Sequence, residues 1–233
     1  MSDCNLRRCL PVELWPKCDQ AAWVAAIAPG TVLDDAIGRG ALWRQPTRRR
    51  VSKCYGRWLS YLIVAGKLVP EDVPTSRIDR ATVRDYVTLL SEQVQPWTVW
   101  SYTLSLYLVA RAFAPDGNWD WLYKIVAKLK VKRLPSRDKL SRMRAPGEIA
   151  AWAYRQMNSL DVSASRNKRN ALQYRNALFI AILVNCPMRL RNLTMIRIGK
   201  HLQETGNRYR LDFIPDEVKT DRYLTLHLPE VLT

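Results

Sequence analysis

The sequence predicts a mainly α-helical protein with a small antiparallel β-sheet near its C-terminal end. Of its 233 residues 48% are hydrophobic, so the chain can form a substantial core. Between residues 51 and 185, apolar side chains recur at helical spacing, and proline or glycine separates one such segment from the next. After Gly199 the pattern changes to alternation, in which Tyr209, Leu211 and Phe213 face one way. The two periods together predict helices first and strands last.

Residues 1–50 are predicted to form an accessory segment that precedes the first domain. Within it, residues 19–28 have the composition of a short apolar helix that a Pro-Gly pair ends. A loop-rich stretch follows and ends in three consecutive arginines, Arg48, Arg49 and Arg50, which we call the basic run.

Residues 51–132 are predicted to form a bundle of four helices, the first of two domains. Ser76 or Asp79 is a candidate cap for the second helix, and Pro96 suits the first turn of the third. The aromatic residues in the stripes recur at the spacing that burial requires, so we interpret them as core rather than as a base-stacking surface. The stripes of the first three helices are Trp58, Tyr61, Leu62 and Ala65; Val83, Tyr86, Val87 and Leu90; and Trp97, Trp100, Leu104, Tyr107 and Leu108.

A basic linker, residues 133–145, is predicted to join this bundle to a second domain, residues 146–233. That domain opens with helical patterns at 146–157 and 171–185. The second of these is apolar on nearly all sides, which predicts a buried central helix. The alternating segments after Gly199 predict a small antiparallel sheet or hairpin that completes the domain.

Charge is the strongest indication of function. Lysine and arginine number 37 against 21 acidic residues, which gives a net charge of +16 and a pI near 10.0. Such an excess favours a polyanionic partner, and nucleic acid is the commonest one, although a solubilising surface or a ribosome-associated protein would also carry it. The predicted DNA contacts are Arg48, Arg49, Arg50, Lys53, Lys130, Lys132, Arg133, Arg137, Lys139, Arg166, Lys168, Arg169 and Arg191.

Several other classes of protein are disfavoured. The longest apolar run, residues 177–184, is far shorter than the roughly 20 residues that cross a bilayer, and the N-terminus lacks the apolar stretch of a signal peptide. Five cysteines without a CxxC pair fit a reducing compartment and no common zinc finger. Because the sequence also lacks a Walker loop, GxGxxG and Gly-x-Ser-x-Gly, we expect no cofactor, metal or small-molecule substrate.

Two motifs in the second domain are more specific. A buried helix is followed by Asn185-Cys186-Pro187-Met188-Arg189 and then by Leu190-Arg191-Asn192-Leu193. Further on, Lys219-Thr220 lies in a predicted hairpin whose next strand ends at Pro229. In order and spacing, behind a helical bundle, they resemble the tyrosine recombinases, or phage integrases. The resemblance covers residues 50–233, although Asn192 replaces the usual acid and Pro187 the usual glycine.

The resemblance implies a helical, SAM-like core-binding domain followed by the α-helical first half of a recombinase catalytic domain with its small sheet. It implies that Arg189 is the first catalytic arginine, with Arg191 as a less favoured candidate, and that Lys219 is the hairpin lysine. An arginine can hold two nonbridging phosphate oxygens at once, and a lysine can protonate the departing sugar oxygen. The implied partners are double-stranded DNA and other recombinase protomers bound to it, in the cytoplasm and nucleoid of a bacterium.

The family's later motifs, a His/Lys-x-x-Arg sequence and a tyrosine nucleophile, do not occur after Lys219 in this sequence. Tyr223 is too close to Lys219 for that role, and we interpret it as a strand residue. The resemblance therefore implies DNA binding in site-specific recombination or integration without cleavage by this chain alone. Both a fragment of a longer recombinase and a functional short form remain open. The alternative from another class is a helical DNA- or RNA-binding regulatory protein without recombinase ancestry.

Overall fold

The computed structural model describes residues 9–30, 38–132, 138, 140–160 and 168–232. It is mainly helical with one three-stranded antiparallel sheet, which confirms the predicted fold class. Contacts divide the chain into two compact units, Met1–Arg137 and Asp138–Thr233. Residues 133–137 and 139 of the predicted linker lie outside the described residues, so that linker stays a prediction.

In the first unit, one helix begins earlier than the sequence suggested. The apolar period starts near Val51, but the helix starts at Gln45 because Pro46 fits a first turn, where no intrahelical N–H donor is needed. The basic run therefore lies on a helix rather than at the end of a loop, and the predicted boundary at residue 50 falls within that helix. The helices of this unit are α1 (Lys17–Ile27), α2 (Gln45–Val64), α3 (Arg80–Gln93), α4 (Pro96–Phe113) and α5 (Asp120–Val131).

Local signals place two of these helix starts. Asp79 is the N-cap of α3, and its carboxylate accepts hydrogen bonds from the backbone N–H groups of Ala81 and Thr82 at 2.8 and 2.9 Å. Asp79, not Ser76, is therefore the cap. Pro96 occupies the first turn of α4, as predicted.

The core of the first unit is rich in aromatic side chains. Trp58, Tyr61 and Tyr86 are buried with ring centroids 5.1–5.5 Å apart, which confirms that these residues are core. Trp97, by contrast, is 55% exposed. Trp15 and Trp23 from the accessory segment belong to the same core. The described part of that segment is thus packed into the first unit.

A buried ion pair ties the accessory segment to the bundle. The Arg77 guanidinium donates to both carboxylate oxygens of Asp19 at 3.0–3.2 Å, and the Tyr55 hydroxyl donates to Asp19 Oδ1 at 2.5 Å. Burial, and then the charge of Asp19, raise the pKa of Tyr55 well above its ordinary value. Because Asp19 and Arg77 are both buried, each compensates the charge of the other.

The described part of the second unit contains two longer α-helices, a short one and the sheet. Gly206 has a φ of +60° in the two-residue turn between the first two strands, a conformation that glycine adopts without a steric penalty. The strands are antiparallel and lie in chain order. The elements are α6 (Pro146–Ser159), α7 (Lys168–Asn185), α8 (Leu190–Thr194), β1 (Leu202–Thr205), β2 (Arg208–Phe213) and β3 (Leu224–His227).

The prediction that α7 is buried on nearly all sides is wrong. Only Ala177, Ala181 and Ile182 are buried, and the other apolar side chains of α7 are half-buried or exposed. One reason is that, in the described part of this unit, α7 packs against α6 and the core cluster of the sheet but has no further covering layer. That cluster includes Leu193, Leu211 and Phe213. No helix in the described ranges is both long and apolar enough to cross a membrane.

Candidate nucleic-acid interface

A groove between α3 and α5 gathers basic side chains from distant parts of the sequence. Its volume is about 630 Å³. Arg80 and Arg84 lie on the α3 side, and Lys124 and Lys128 lie on the α5 side. We call this feature the α3–α5 groove; its other lining residues are Val83, Val87, Thr88, Asn118, Asp120, Trp121 and Ile125.

Helical spacing explains why the cations form two rows. The arginines are four residues apart on α3, and the lysines are four residues apart on α5. Residues at i and i+4 lie on the same face of a helix, about 6 Å apart along its axis. Valine and isoleucine occupy neighbouring positions, so the groove combines two rows of positive charge with an apolar lining.

Four cations face one acid, Asp120, among the described residues that line the groove. Arg80, Arg84, Lys124 and Lys128 are exposed, and none of them forms an ion pair within the part of the chain that the structure describes. The Arg80 guanidinium lies 5.5 Å from the ring centroid of Trp121, a cation–π contact that orients it. Four cations around one open groove produce a positive potential that an anionic ligand would relieve.

The residues of the predicted interface in the first unit do not line this groove. Arg48 donates to the carbonyl oxygens of Trp43 and Ala41 at 3.0 and 2.7 Å and is half-buried. Arg50 donates to the Ser101 hydroxyl at 3.3 Å. The remaining predicted contacts that are described in this unit, Arg49, Lys53, Lys130 and Lys132, are exposed elsewhere on α2 and at the end of α5.

Sequence analysis missed the four cations of the groove. The i, i+4 spacing of two arginines on one helix and two lysines on another was a usable signal. It could not show that the two helices line one groove, because about 40 residues separate the rows. Four predicted contacts, Arg133, Arg137, Lys139 and Arg166, lie outside the described residues.

In the second unit, the structure brings together the two segments that carry the predicted catalytic residues. Arg189 is the exposed N-cap residue of α8, and Lys219 is exposed in the connection between β2 and β3. The buried Asn192 amide donates to the carbonyl oxygen of Glu217 at 3.2 Å. This bond joins the two segments, because Asn192 follows Arg189 by three residues and Glu217 precedes Lys219 by two. A carboxylate at position 192 could not donate it.

Other predicted site residues of the second unit occupy the surface. Lys168 and Arg169 are exposed at the start of α7, and Arg191 is exposed on α8. Tyr223 is 79% exposed and directly precedes β3, so its assignment as a strand residue was wrong by one position. The backbone of Asp221 is left-handed, with a φ of 53°, and it lies at the end of the turn that precedes Tyr223.

Glu217 is held by a cluster of donors that sequence analysis did not find. Its Oε1 accepts from Lys200 Nζ at 2.5 Å and contacts His201 Nε2 at 3.2 Å, and its Oε2 accepts from the backbone N–H of Ile214 at 3.3 Å. Hydrogen bonds from Lys200 and then from His201 lower the pKa of Glu217 to about 2. Because His201 Nδ1 accepts from the backbone N–H of Arg197 at 2.9 Å, Nε2 carries the proton that faces Glu217.

No arrangement of His, Cys, Asp and Glu within the described ranges could hold a metal ion. Comparison with protein-family models, with curated proteins and with solved structures found no match for this chain. The likeness to tyrosine recombinases therefore remains a resemblance of motifs.

Proposed function

We propose that this chain binds double-stranded DNA through the α3–α5 groove. The observation that carries the proposal is the convergence there of Arg80, Arg84, Lys124 and Lys128 without an acidic partner among the described residues. A duplex offers closely spaced phosphates, and cations that contact them release condensed counterions. The net charge of +16 adds a long-range attraction to the same partner.

The biological context of the binding rests on the resemblance. If the chain acts in site-specific recombination or integration of mobile DNA, the groove of the first unit holds the duplex. Arg189 and Lys219 of the second unit would then contact a phosphate of the DNA. Other recombinase protomers would bind the same DNA. The joining of their two segments through Asn192 and Glu217 supports a common site. The proposal concerns binding and assigns no cleavage to this chain.

In the test, the purified chain is titrated into a fluorescein-labelled 30-base-pair duplex. Binding is measured by fluorescence anisotropy at several salt concentrations. Single-stranded DNA and RNA of the same length serve as competing ligands. We expect the duplex to bind best, with an affinity that falls steeply as salt rises. Stronger binding of single-stranded RNA would contradict the proposal and favour the RNA-binding alternative.

A pair of variants on α5 locates the binding. K124Q/K128Q removes two charges from the groove, whereas K130Q/K132Q removes the same charge outside it, at the end of the helix. We expect the first variant to reduce the slope of log K against log salt by about 2, since each lost phosphate contact reduces it by roughly 1. Equal reductions in both variants would show that the groove is not the binding site.

A further inference from the structure

Trp121 lines the α3–α5 groove with a large aromatic ring. The ring is half-buried near the start of α5, where it packs against the core of the first unit. The Arg80 guanidinium, which comes from α3, lies 5.5 Å from the centroid of this ring. A cation within about 6 Å of an indole ring is attracted to the face of the ring. Trp121 therefore holds a cation that belongs to the other side of the groove.

The contact with the ring leaves the hydrogen-bond donors of Arg80 available. A guanidinium carries several N–H donors in a planar fork. Arg80 is exposed and forms no hydrogen bond or ion pair within the described ranges. The acid that precedes it, Asp79, is engaged in capping α3, since its carboxylate accepts from the backbone N–H groups of Ala81 and Thr82. Arg80 is thus oriented without the use of a donor.

Arg57 shows how a ring contact looks in a structural role. Its guanidinium lies 4.9 Å from the ring centroid of Tyr102, but the side chain is buried and donates to Gln93 Oε1 at 3.0 Å. The ring and the amide together hold Arg57 inside the bundle. Arg80 has the ring contact alone and faces an open groove, which suits a cation that meets a ligand.

A phosphate fits a cation of this kind. A guanidinium can donate two parallel hydrogen bonds to oxygens of one phosphate, but only in a fixed orientation. A solvated arginine loses side-chain freedom when it adopts that orientation, whereas an arginine already held by a ring has less freedom to lose. Arg84 has no ring contact within the described ranges. The two arginines of the α3 row therefore carry equal charge and differ in preorganisation.

We propose that Trp121 is a positioning residue that aligns Arg80 for a bidentate contact with one phosphate of the DNA. Arg84 contributes charge to the same surface without that alignment. Part of the affinity then comes from orientation rather than from the number of charges, and that part does not change the salt dependence. This inference rests on the proposed binding of duplex DNA by the groove.

The first test is a double-mutant cycle on the full chain with W121L, R80Q and W121L/R80Q. Duplex affinity is measured by anisotropy at several salt concentrations. We expect W121L to bind about three- to tenfold more weakly, the range of a cation–π contact, with an unchanged slope of log K against log salt. R80Q should reduce the slope by about 1. W121L/R80Q should bind as R80Q does, because Trp121 acts through Arg80.

Two further variants control for the loss of a ring. W121F keeps an aromatic ring at the position and should retain most of the affinity. Tyr123 is 54% exposed on the same helix and does not line the groove, so Y123L is the matched control and should bind as the wild-type chain does. Because Trp121 packs against the core, thermal unfolding by circular dichroism establishes that each variant is folded at the temperature of the titration.

A second test leaves Trp121 in place and does not depend on the folding of its variants. R80K and R84K both keep the charge, but a lysine cannot make the bidentate contact. We expect R80K to bind about three- to tenfold more weakly than the wild-type chain and R84K to stay within about twofold of it, both with an unchanged slope.

Three results would overturn the inference while leaving duplex binding by the groove intact. They are wild-type affinity in W121L, a loss from W121L that is as large in the R80Q background as in the wild-type chain, and equal losses in R80K and R84K. The second is the result expected if Trp121 stacks on a base instead of holding Arg80. Failure of the wild-type chain to bind any duplex would instead refute the proposed function, and the inference with it.

Discussion

The basic run on α2 and the α3–α5 groove show two different uses of positive charge within one unit. In the basic run, Arg48 donates to carbonyl oxygens of the preceding loop and Arg50 donates to Ser101. In the groove, Arg84 and Lys128 point to solvent without an acidic partner among the described residues. The density of charge along the sequence is thus a poor guide to where charge is available for a ligand.

Helix geometry accounts for the difference. Successive residues of an α-helix point about 100° apart, so three consecutive arginines do not share one face of the helix. Residues four apart share a face, and two such rows on adjacent helices converge.

The largest effect is expected at Arg77, which forms a buried ion pair with Asp19. R77A leaves the Asp19 carboxylate buried without its partner, which costs about 3–5 kcal/mol of unfolding free energy. Urea denaturation followed by tryptophan fluorescence measures the loss. The double variant D19N/R77M should recover much of it, because removing both charges also removes the desolvation penalty. A midpoint of R77A equal to that of the wild-type chain would show that the pair is not stabilising.

A smaller effect is expected at Arg48. R48A removes two hydrogen bonds to carbonyl oxygens of the loop before α2, which costs roughly 1–2 kcal/mol. R49A removes a neighbouring arginine that is exposed, and its unfolding free energy should stay within about 0.5 kcal/mol of the wild-type value. The same urea titration compares the two variants. Equal stability of R48A and R49A would contradict the structural role of Arg48.

The smallest effect is expected from the ion pair between Lys200 and Glu217 in the second unit, and it depends on pH. The pKa of Glu217 is lowered to about 2 from a reference value of 4.5, so the folded state favours its charged form. This contribution is fully present above pH 4.5 and is lost as pH falls toward 2. In E217Q, the decline of the urea midpoint between pH 5 and about 2 should be shallower than in the wild-type chain. An equal decline in both proteins would show that Glu217 does not contribute to it.

The helices and the sheet could be predicted from the sequence because each depends on a local signal. Asp79 and Pro96 mark helix starts, and alternation in Tyr209, Leu211 and Phe213 marks a strand. The start of α2 was missed because its first turn is basic and carries no apolar stripe. The burial of α7 was overestimated because composition does not reveal how many elements cover a helix.

The candidate sites depended on contacts that are distant in the sequence. The two rows of the α3–α5 groove lie about 40 residues apart in the sequence, and only the fold brings them to one groove. The Glu217 cluster joins residues 16 and 17 positions apart, and the Asn192 bond spans 25. A motif resemblance pointed to Arg189 and Lys219, whereas no sequence pattern pointed to Glu217.

The most direct test compares two arginine pairs of equal charge. R80Q/R84Q removes two cations from the α3–α5 groove, and R49Q/R50Q removes two from the basic run. Duplex affinity at several salt concentrations is measured for both. We expect R80Q/R84Q to bind about ten- to a hundredfold more weakly, with a slope reduced by about 2, and R49Q/R50Q to stay close to the wild-type chain. A larger loss in R49Q/R50Q than in R80Q/R84Q would contradict the assignment of DNA binding to the groove.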